Sequence, residues 1–178
     1  MLESASQLNT QAIELASQGE YKEAIACFKK ALTFEQDNYL LWFNLGVTYR
    51  DSGDLYMAKE ALLKAYSIEN QDDEVIETLA LINFNIGEKR EALDFCNIGL
   101  TLNEENSHLW NTLGVIHFNS ENYEKAASCF ERAITINPYY YDALFNLRDT
   151  YMETGNQVGY LMCINQMKEI KDHGSINV

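Results

Sequence analysis

The sequence predicts an all-α fold built from five consecutive pairs of antiparallel helices. The chain has 178 residues, and the stretch 107–138 has weaker copies of itself 34 residues earlier and later. Within each copy, apolar residues recur at i, i+3, i+4 and i+7, which is the spacing of one helix face. A break containing glycine or another turn-forming residue divides most copies into two such stretches. Repeated helix pairs of this kind predict a stacked array.

The repeat fills the chain without an insertion when Ala5 is taken as position 1. Positions 4 and 24 carry mostly large apolar residues, which we expect to lie between the paired helices, and position 30 is apolar in every unit. The predicted units are 5–38, 39–72, 73–106, 107–140 and 141–174. Position 4 holds Leu8, Trp42, Ile76, Trp110 and Leu144; position 24 holds Phe28, Leu62, Cys96, Phe130 and Ile164; position 30 holds Phe34, Ile68, Leu102, Ile136 and Ile170.

Small residues occupy positions 8, 20 and 27 in the first four units, where closely packed helices leave little room for side chains. The fifth unit departs from this pattern, with Arg148, Tyr160 and Met167 at these positions. We therefore expect the last unit to be degenerate and to pack less regularly. The small residues are Ala12, Gly46, Ala80 and Gly114; Ala24, Ala58, Ala92 and Ala126; and Ala31, Ala65, Gly99 and Ala133.

Glycine marks the turn between the two helices of four units, because it readily adopts the left-handed conformation that ends a helix. These glycines are Gly19, Gly53, Gly87 and Gly155. In the fourth unit the turn reads Ser120-Glu121-Asn122. Asparagine tolerates the left-handed conformation better than most residues, so we expect Asn122 to take this role.

Both ends of the chain differ from the internal units. Positions 3, 7, 10 and 14 of the first helix are apolar in unit three but polar in unit one. Lys168 stands at position 28 of unit five, where the other units have an apolar residue. These features are typical of capping repeats, and they predict that the chain is close to a complete protein. A different interpretation of the last helix is that Tyr160, Leu161, Ile164 and Met167 leave an apolar face exposed, which would favour a homodimer. The polar stripe of unit one is Gln7, Gln11, Glu14 and Gln18.

Unit four resembles the tetratricopeptide repeat, whose signature is W-x2-L-G-x2-Y, then A-x3-F, then P over 34 residues. The resemblance implies a right-handed α-solenoid of five helix-turn-helix units that binds proteins or peptides in a concave groove lined by the first helices. The residues that carry the resemblance are Trp110, Leu113, Gly114, Tyr123, Ala126, Phe130, Ala133 and Pro138, while His117 stands where the signature has the tyrosine that follows Leu-Gly.

The resemblance also implies which residues point into the groove. An apolar strip of Val47, Leu81, Phe84, Val115 and Phe118 is expected to anchor a ligand, flanked by asparagines whose amides both donate and accept. Glu74 and Glu77 are expected to favour cationic groups on that ligand. The predicted groove residues are Phe43, Asn44, Val47, Arg50, Glu74, Glu77, Leu81, Phe84, Asn85, His108, Asn111, Val115, Phe118, Asn119, Phe145 and Asn146.

The chain lacks the carboxylate clamp by which similar chaperone-binding proteins hold an acidic tail. The clamp draws its residues from three consecutive repeats. Across repeats one to three only Asn44 matches the clamp residues, and two positions where the clamp has lysine or arginine carry Glu74 and Thr78. Repeats two to four match the clamp residues no better. We therefore predict that the groove does not bind an acidic heat-shock tail.

Composition and motifs exclude several other functions. A net charge of −14 disfavours nucleic acid, and the chain has neither a secretory leader nor an apolar run long enough for a membrane, so we expect a cytoplasmic protein. The four cysteines have neither disulfide nor metal spacing, which predicts reduced, half-buried thiols and no cofactor. The histidines lack a catalytic partner, and His117 is expected to be a packing residue in a protein that is not an enzyme. Two alternatives to a peptide-binding adaptor remain. One is a holding chaperone for an aggregation-prone or secreted client. The other is a structural subunit that binds through its convex face or self-associates through its C-terminal helix, with a dimer sensitive to Leu161 or Ile164.

Overall fold

The computed structural model describes residues 4–174, which form ten α-helices and no strand. The first helix of each pair begins at the first residue of a predicted unit. The all-α fold class is therefore confirmed. The helices are α1 (Ala5–Ser17), α2 (Tyr21–Leu32), α3 (Tyr39–Asp51), α4 (Leu55–Ile68), α5 (Asp73–Asn85), α6 (Lys89–Leu102), α7 (Ser107–Phe118), α8 (Tyr123–Ile136), α9 (Tyr141–Glu153) and α10 (Gln157–Gly174).

Capping residues explain why the first helices begin where they do. The side chains of Asn38, Asp72 and Asn106 precede α3, α5 and α7, and each accepts a hydrogen bond from a backbone N–H in the first turn. Such a bond satisfies one of the N–H groups that lack a partner at a helix start. Tyr140 occupies the same place before α9 and provides no side-chain cap.

The turn between the paired helices contains one residue with positive φ. In unit four this residue is Glu121, with φ of 59°, whereas Asn122 has φ of −93°. The prediction for Asn122 is therefore wrong, because the fixed repeat length places Glu121 at the position that glycine occupies in the other units. The four predicted glycines are confirmed there: Gly19, Gly53, Gly87 and Gly155, with φ of 81°, 89°, 86° and 71°.

The described residues fall into two compact units, one ending at Phe95 and one beginning at Cys96. In the first unit, each helix from α1 to α4 packs against the next one along the chain, and Phe28 and Leu62 are almost completely buried. In the second unit, α7 to α10 pack in the same manner around Phe130 and Leu144. The arrangement of all five pairs as a single array stays a prediction.

The two glycines at position 8 are confirmed as sites of close approach. A Cβ atom added to Gly46 would lie 2.7 Å from Cγ of Leu62, and one added to Gly114 would lie 2.5 Å from Cε1 of Phe130. Both distances are far below a normal van der Waals contact. Glycine at this position therefore allows the large residue at position 24 to lie against the backbone of the first helix.

The fifth unit achieves the same close approach with a different residue. Gly159 is buried, and a Cβ atom added to it would lie 2.6 Å from Cδ2 of Tyr151. Tyr160, which stands at position 20, where the other units have a small residue, is half-buried. Cys163 is buried, as are Ala61 and Cys129 at the same position of units two and four, whereas Ile164 is only half-buried. Ile164 is thus less buried than its counterparts Phe28, Leu62, Cys96 and Phe130.

Several residues are more or less exposed than the sequence predicts. The residues at position 30 in the first three units are exposed, and Phe34 retains 58% of its accessible surface. Cys96, Cys129 and Cys163 are buried, so the prediction of half-buried thiols holds only for Cys27. The predicted apolar face of α10 also differs, since Met167 is buried. The exposed apolar residues on that helix are Val158, Leu161 and Met162.

Candidate peptide-binding faces

The sixteen predicted groove residues lie on two faces, one in each compact unit, and none of them is buried. In the first compact unit α3 contacts α5, and in the second compact unit α7 contacts α9. The α3–α5 face is formed by Phe43, Asn44, Val47, Arg50, Glu74, Glu77, Leu81, Phe84 and Asn85. The α7–α9 face is formed by His108, Asn111, Val115, Phe118, Asn119, Phe145 and Asn146.

The helical repeat explains why these residues remain accessible. On α3, Leu41, Leu45 and Thr48 share one side of the helix and are buried. At about 100° per residue, Phe43 and Val47 lie on the opposite side. The same spacing on α5, α7 and α9 buries one stripe and exposes the other, so a single sequence period generates both the core and the face.

Apolar side chains make up the centre of the α3–α5 face. Leu81 is 37% exposed, and Val47, Phe43 and Phe84 are half-buried around it. Thr78, which the family pattern also directs toward the groove, is buried instead, and its hydroxyl donates to the Glu74 carbonyl 2.7 Å away. The accessible surface here is therefore apolar rather than hydroxyl-bearing.

The charge of the α3–α5 face is negative. The Arg50 guanidinium lies 2.8 Å from Oδ1 of Asp51, so its positive charge is already compensated. Glu74 is exposed and Glu77 is half-buried. The exposed Glu74 carboxylate therefore contributes negative charge to this face.

An asparagine pair connects α1 to α3 beside this face. Nδ2 of Asn44 donates to Oδ1 of Asn9 over 3.1 Å. The pair uses one donor of Asn44 and one acceptor of Asn9, and no further side-chain hydrogen bond joins Nδ2 of Asn9 or Oδ1 of Asn44 to another described residue. Holding both amides in place also reduces the side-chain entropy lost on binding.

The α7–α9 face contains an equivalent pair and two predicted residues that already have intramolecular partners. Nδ2 of Asn146 donates to Oδ1 of Asn111 over 2.9 Å. Nδ2 of Asn119 donates to the Val115 carbonyl over 2.9 Å, which occupies a donor that was expected to orient a ligand. Phe118 packs edge-on against Tyr123, with ring centroids 5.3 Å apart.

Aromatic contacts fix the remaining side chains of the α7–α9 face. His108 stacks on Tyr140 with centroids 4.8 Å apart. Phe145 is 43% exposed and lies beneath the Arg148 guanidinium, whose central carbon is 4.0 Å from the ring centroid. Arg148 also pairs with Asp149, so this cation is compensated as well.

Burial shifts the pKa values of several titratable side chains in the second compact unit. Desolvation lowers the pKa of His117, and Lys125 lowers it further, which keeps the imidazole neutral near pH 7. Its half-buried position agrees with the predicted packing role. Desolvation also raises the pKa of the Cys96 thiol to about 12 and that of Cys129 to about 11. These thiols are protonated and unreactive at neutral pH.

Within residues 4–172, whose side chains are described, no group of three or more His, Cys, Asp or Glu residues could hold a metal ion. No helix of the described chain is long and apolar enough to cross a membrane.

Two contributors to these faces were not predicted as site residues. Asn9 stands at a position that the resemblance directs toward the groove, but the predicted site omits it because repeat unit one lies outside the predicted centre of binding. Tyr123 was missed because it begins a second helix. The asparagine pairing did leave a sequence signal, since both pairs join residues 35 positions apart. That spacing connects position 5 of one unit to position 6 of the next.

Comparisons with known proteins agree on the repeat. A family model described as TPR repeat matches residues 12–53, and models described as tetratricopeptide repeat match residues 39–72 and 108–140. Together these models cover more than half of the chain.

One relative is the peroxisomal targeting signal receptor of Saccharomyces cerevisiae, 27% identical over 128 residues, which are 70% of this chain and 21% of the receptor. The chain spans only 11% to 25% of the length of the first three curated relatives it matches.

Two solved structures show the same fold. The crystal structure of MamA has a TM-score of 0.82 and 24% identity, with 92% of this chain and 96% of MamA covered. YrrB, described as a TPR protein with an unusual peptide-binding site, has a TM-score of 0.72 and 21% identity, with 95% and 87% covered. At this identity the likeness concerns the fold alone, and it confirms the predicted class of an all-α solenoid of helix-turn-helix units.

Proposed function

Because the chain belongs to the tetratricopeptide repeat family, we propose that it is a non-catalytic scaffold that binds a peptide or protein segment on its α3–α5 and α7–α9 faces. The observation that carries this proposal is the accessible apolar surface on the first helices, flanked by pre-paired asparagines. Leu81 and Phe145 are both more than one third exposed. Exposed apolar groups beside ordered polar groups are typical of binding surfaces.

The chemistry of the α3–α5 face defines the ligand that would fit it. Leu81 and Phe84 would bury apolar side chains of the ligand, and such contacts supply most of the affinity at interfaces. The Asn9–Asn44 pair retains one donor and one acceptor for the ligand backbone. Glu74 would favour a lysine or arginine next to the apolar anchor. A segment that alternates apolar and basic residues meets all three conditions.

Two of the compared proteins support a binding role. The yeast relative is named as a receptor for a targeting signal, and the YrrB structure is described as containing a peptide-binding site. One similar protein is thus named as a signal receptor, and another with the same fold is described as having a peptide-binding site.

A selection from a random peptide library displayed on phage would test the proposal on the α3–α5 face. We expect enriched sequences to contain an apolar residue next to lysine or arginine. Phe84→Ala should weaken binding of the selected peptide by at least about thirtyfold, since truncated hot-spot aromatics commonly cost about 2 kcal/mol or more.

Phe34→Ala provides a matched control, because Phe34 is an exposed phenylalanine that lies on neither face. This variant should bind the selected peptide as the wild type does. The proposal is wrong if Phe84→Ala retains full binding while its helical content and thermal midpoint are unchanged.

A second candidate function is self-association through α10. Val158, Leu161 and Met162 are 71%, 50% and 66% exposed, and their spacing places them on one side of the helix. We infer that this stripe forms the contact between two copies, whereas the predicted contribution of Ile164 is smaller because it is half-buried. Sedimentation velocity at high micromolar concentration should show a dimer that Leu161→Asp dissociates. A wild-type monomer under these conditions would contradict the proposal.

A further inference from the structure

A second apolar surface lies in the first compact unit, on the side of α3 that faces away from the α3–α5 face. It is a cleft of about 730 Å³ lined by residues of α2, α3 and α4. Trp42, Leu45 and Tyr49 of α3 form its base at a spacing of i, i+3 and i+7. We propose that this cleft, here called the α2–α4 cleft, binds an amphipathic helix of a partner protein whose apolar stripe is flanked by acidic residues.

The dimensions of the cleft fit a helical ligand. Its lining along α4 extends from Met57 to Ser67, which corresponds to about 15 Å, or nearly three helical turns. A ligand helix of that length presents apolar anchors at i, i+3, i+4 and i+7. The volume is too small for a complete helix and suits several side chains inserted from one.

The base of the cleft is already formed without a ligand. Nε1 of Trp42 donates to the Gln36 carbonyl over 2.8 Å, which fixes the indole at one end. Tyr49 is only 6% exposed and lies beneath Lys29, whose Nζ atom is 5.7 Å from the ring centroid. A preformed apolar surface avoids the cost of ordering these side chains upon binding.

The charges around the cleft select an acidic ligand. α2 contributes Lys29, α4 contributes Lys64, and the single acidic residue in the lining is Glu60. Among the described residues, neither lysine forms an ion pair with a carboxylate. The cleft therefore carries a net positive charge in a chain whose net charge is −14. Glutamates beside the apolar stripe of a ligand would pair with the two lysines, whereas a lysine-flanked helix would be repelled.

Exposed apolar residues at the rim extend the contact surface. Met57 and Leu63 line the cleft and retain 36% and 39% of their accessible surface. A bound helix would cover them and remove this apolar area from water. The α2–α4 cleft differs from the α3–α5 face in both position and charge, so the chain would carry two binding surfaces with opposite charge preferences.

A designed helical peptide would test the proposal on the full chain. The probe is a fluorescein-labelled amphipathic peptide of about four turns, with leucines at i, i+3, i+4 and i+7 and glutamates on both sides of that stripe. A second probe carries lysines instead of glutamates. We expect fluorescence anisotropy to show saturable binding of the glutamate peptide and at least about tenfold weaker binding of the lysine peptide.

Variants of exposed residues would localise the binding without disturbing the core. Met57→Glu and Lys64→Glu should each weaken binding of the glutamate peptide by at least about tenfold, and Lys64→Glu should strengthen binding of the lysine peptide. Tyr56→Glu and Lys22→Glu are the matched controls, because these exposed residues lie outside the cleft. Both control variants should bind as the wild type does.

Three results would overturn the proposal: absence of saturable binding, equal binding of both peptides, or equal loss of binding in the cleft and control variants. Binding of the dye 1-anilinonaphthalene-8-sulfonate tests whether the cleft instead accepts a small anionic amphiphile. Fluorescence enhancement that Met57→Glu abolishes, together with no peptide binding, would assign the cleft to such a ligand and reject a helical partner. Phe84→Ala should leave binding in the cleft unchanged, which separates this test from that of the α3–α5 face.

Discussion

The side-chain amides of Asn146 and Asn111 meet between two neighbouring first helices, with Nδ2 of Asn146 2.9 Å from Oδ1 of Asn111. Asn44 and Asn9 form the same contact in the first compact unit. The donor stands at position 6 of one repeat and the acceptor at position 5 of the preceding repeat. The asparagines therefore connect adjacent repeats and at the same time border the candidate binding faces.

We predict that Asn146→Ala lowers the free energy of unfolding by about 0.5–1.5 kcal/mol, since it removes a partly buried hydrogen bond. Asn146→Asp should be less destabilising than Asn146→Ala, because the Asn111 amide can turn and donate its Nδ2 group to the new carboxylate. Urea unfolding monitored by circular dichroism measures both changes. Asn165→Ala is the control, as this exposed residue of α10 should alter stability by less than about 0.5 kcal/mol.

The repeat frame predicted helix positions well and side-chain partners less well. Each first helix begins at position 1, and the four turn glycines have positive φ, because a fixed period determines where a residue lies along a helix. Which side chain fills a gap also depends on the neighbouring helix. Gly159 packs against Tyr151 although the frame places Tyr160 at the small-residue position, and the Asn111–Asn146 contact requires two helices at a particular separation.

The candidate site was likewise predicted in part. The resemblance to the tetratricopeptide repeat identified accessible residues of the first helices, since none of the sixteen is buried, although Thr78, at another such position, is buried. It was not sufficient to show that Asn119 donates to the Val115 carbonyl. The α2–α4 cleft was not predicted, because a cleft arises from the space between helices, and Trp42 and Leu45 have the same apolar pattern whether that space is filled or open.

Glu121 occupies a backbone conformation that favours glycine, with φ of 59°. Glu121→Gly should therefore raise the free energy of unfolding by about 1 kcal/mol, since the left-handed region costs an L-residue about that amount. Thermal and urea unfolding would measure the gain.

The converse substitution, Gly87→Ala, should destabilise the protein by a similar amount. An added Cβ atom there would meet no atom within 4 Å beyond Gly87 itself and its two chain neighbours, so only the positive φ of 86° would oppose it. A decrease in stability for Glu121→Gly would contradict this account of the turn.

Gly114 lies so close to Phe130 that an added Cβ atom would be 2.5 Å from the ring. We predict that Gly114→Ala lowers the free energy of unfolding by about 1–3 kcal/mol through overpacking. Phe130→Leu should partly relieve the clash, so the double variant should be less destabilised than the sum of the single variants. A double-mutant cycle in urea measures this coupling, and strict additivity would argue against direct contact as the cause.

Asn83 is fully buried on α5, and its Oδ1 atom has no hydrogen-bond partner among the described residues. Its Nδ2 group donates to the Leu79 carbonyl over 2.7 Å. An unsatisfied buried acceptor costs about 1–3 kcal/mol, so Asn83→Leu should raise the free energy of unfolding. Asn85→Leu, on the exposed side of the same helix, is the control and should change it by less than about 0.5 kcal/mol. Loss of stability in Asn83→Leu would indicate that the site cannot accommodate the larger side chain.

Buried thiols should make the protein less stable in alkaline solution. Desolvation raises the pKa of Cys96 to about 12, with a further contribution from Cys129, and raises that of Cys129 to about 11 despite the opposing effect of Lys125. Between pH 9 and these values, the unfolded chain loses thiol protons that the folded chain retains. The free energy of unfolding should therefore fall as pH rises above 9, by up to about 1.4 kcal/mol per pH unit for each thiol.

A variant with both Cys96→Ala and Cys129→Ala separates this effect from other alkaline titrations. It should be less stable than the wild type at pH 8, because two buried side chains are truncated. Its thermal midpoint should nevertheless decline less steeply between pH 9 and pH 10.5. Tyr151, whose pKa is raised by desolvation and by its hydrogen bond to Glu131, contributes to the decline in both proteins and cancels in the comparison. Equal slopes would mean that the two thiols ionise alike in the folded and unfolded chains.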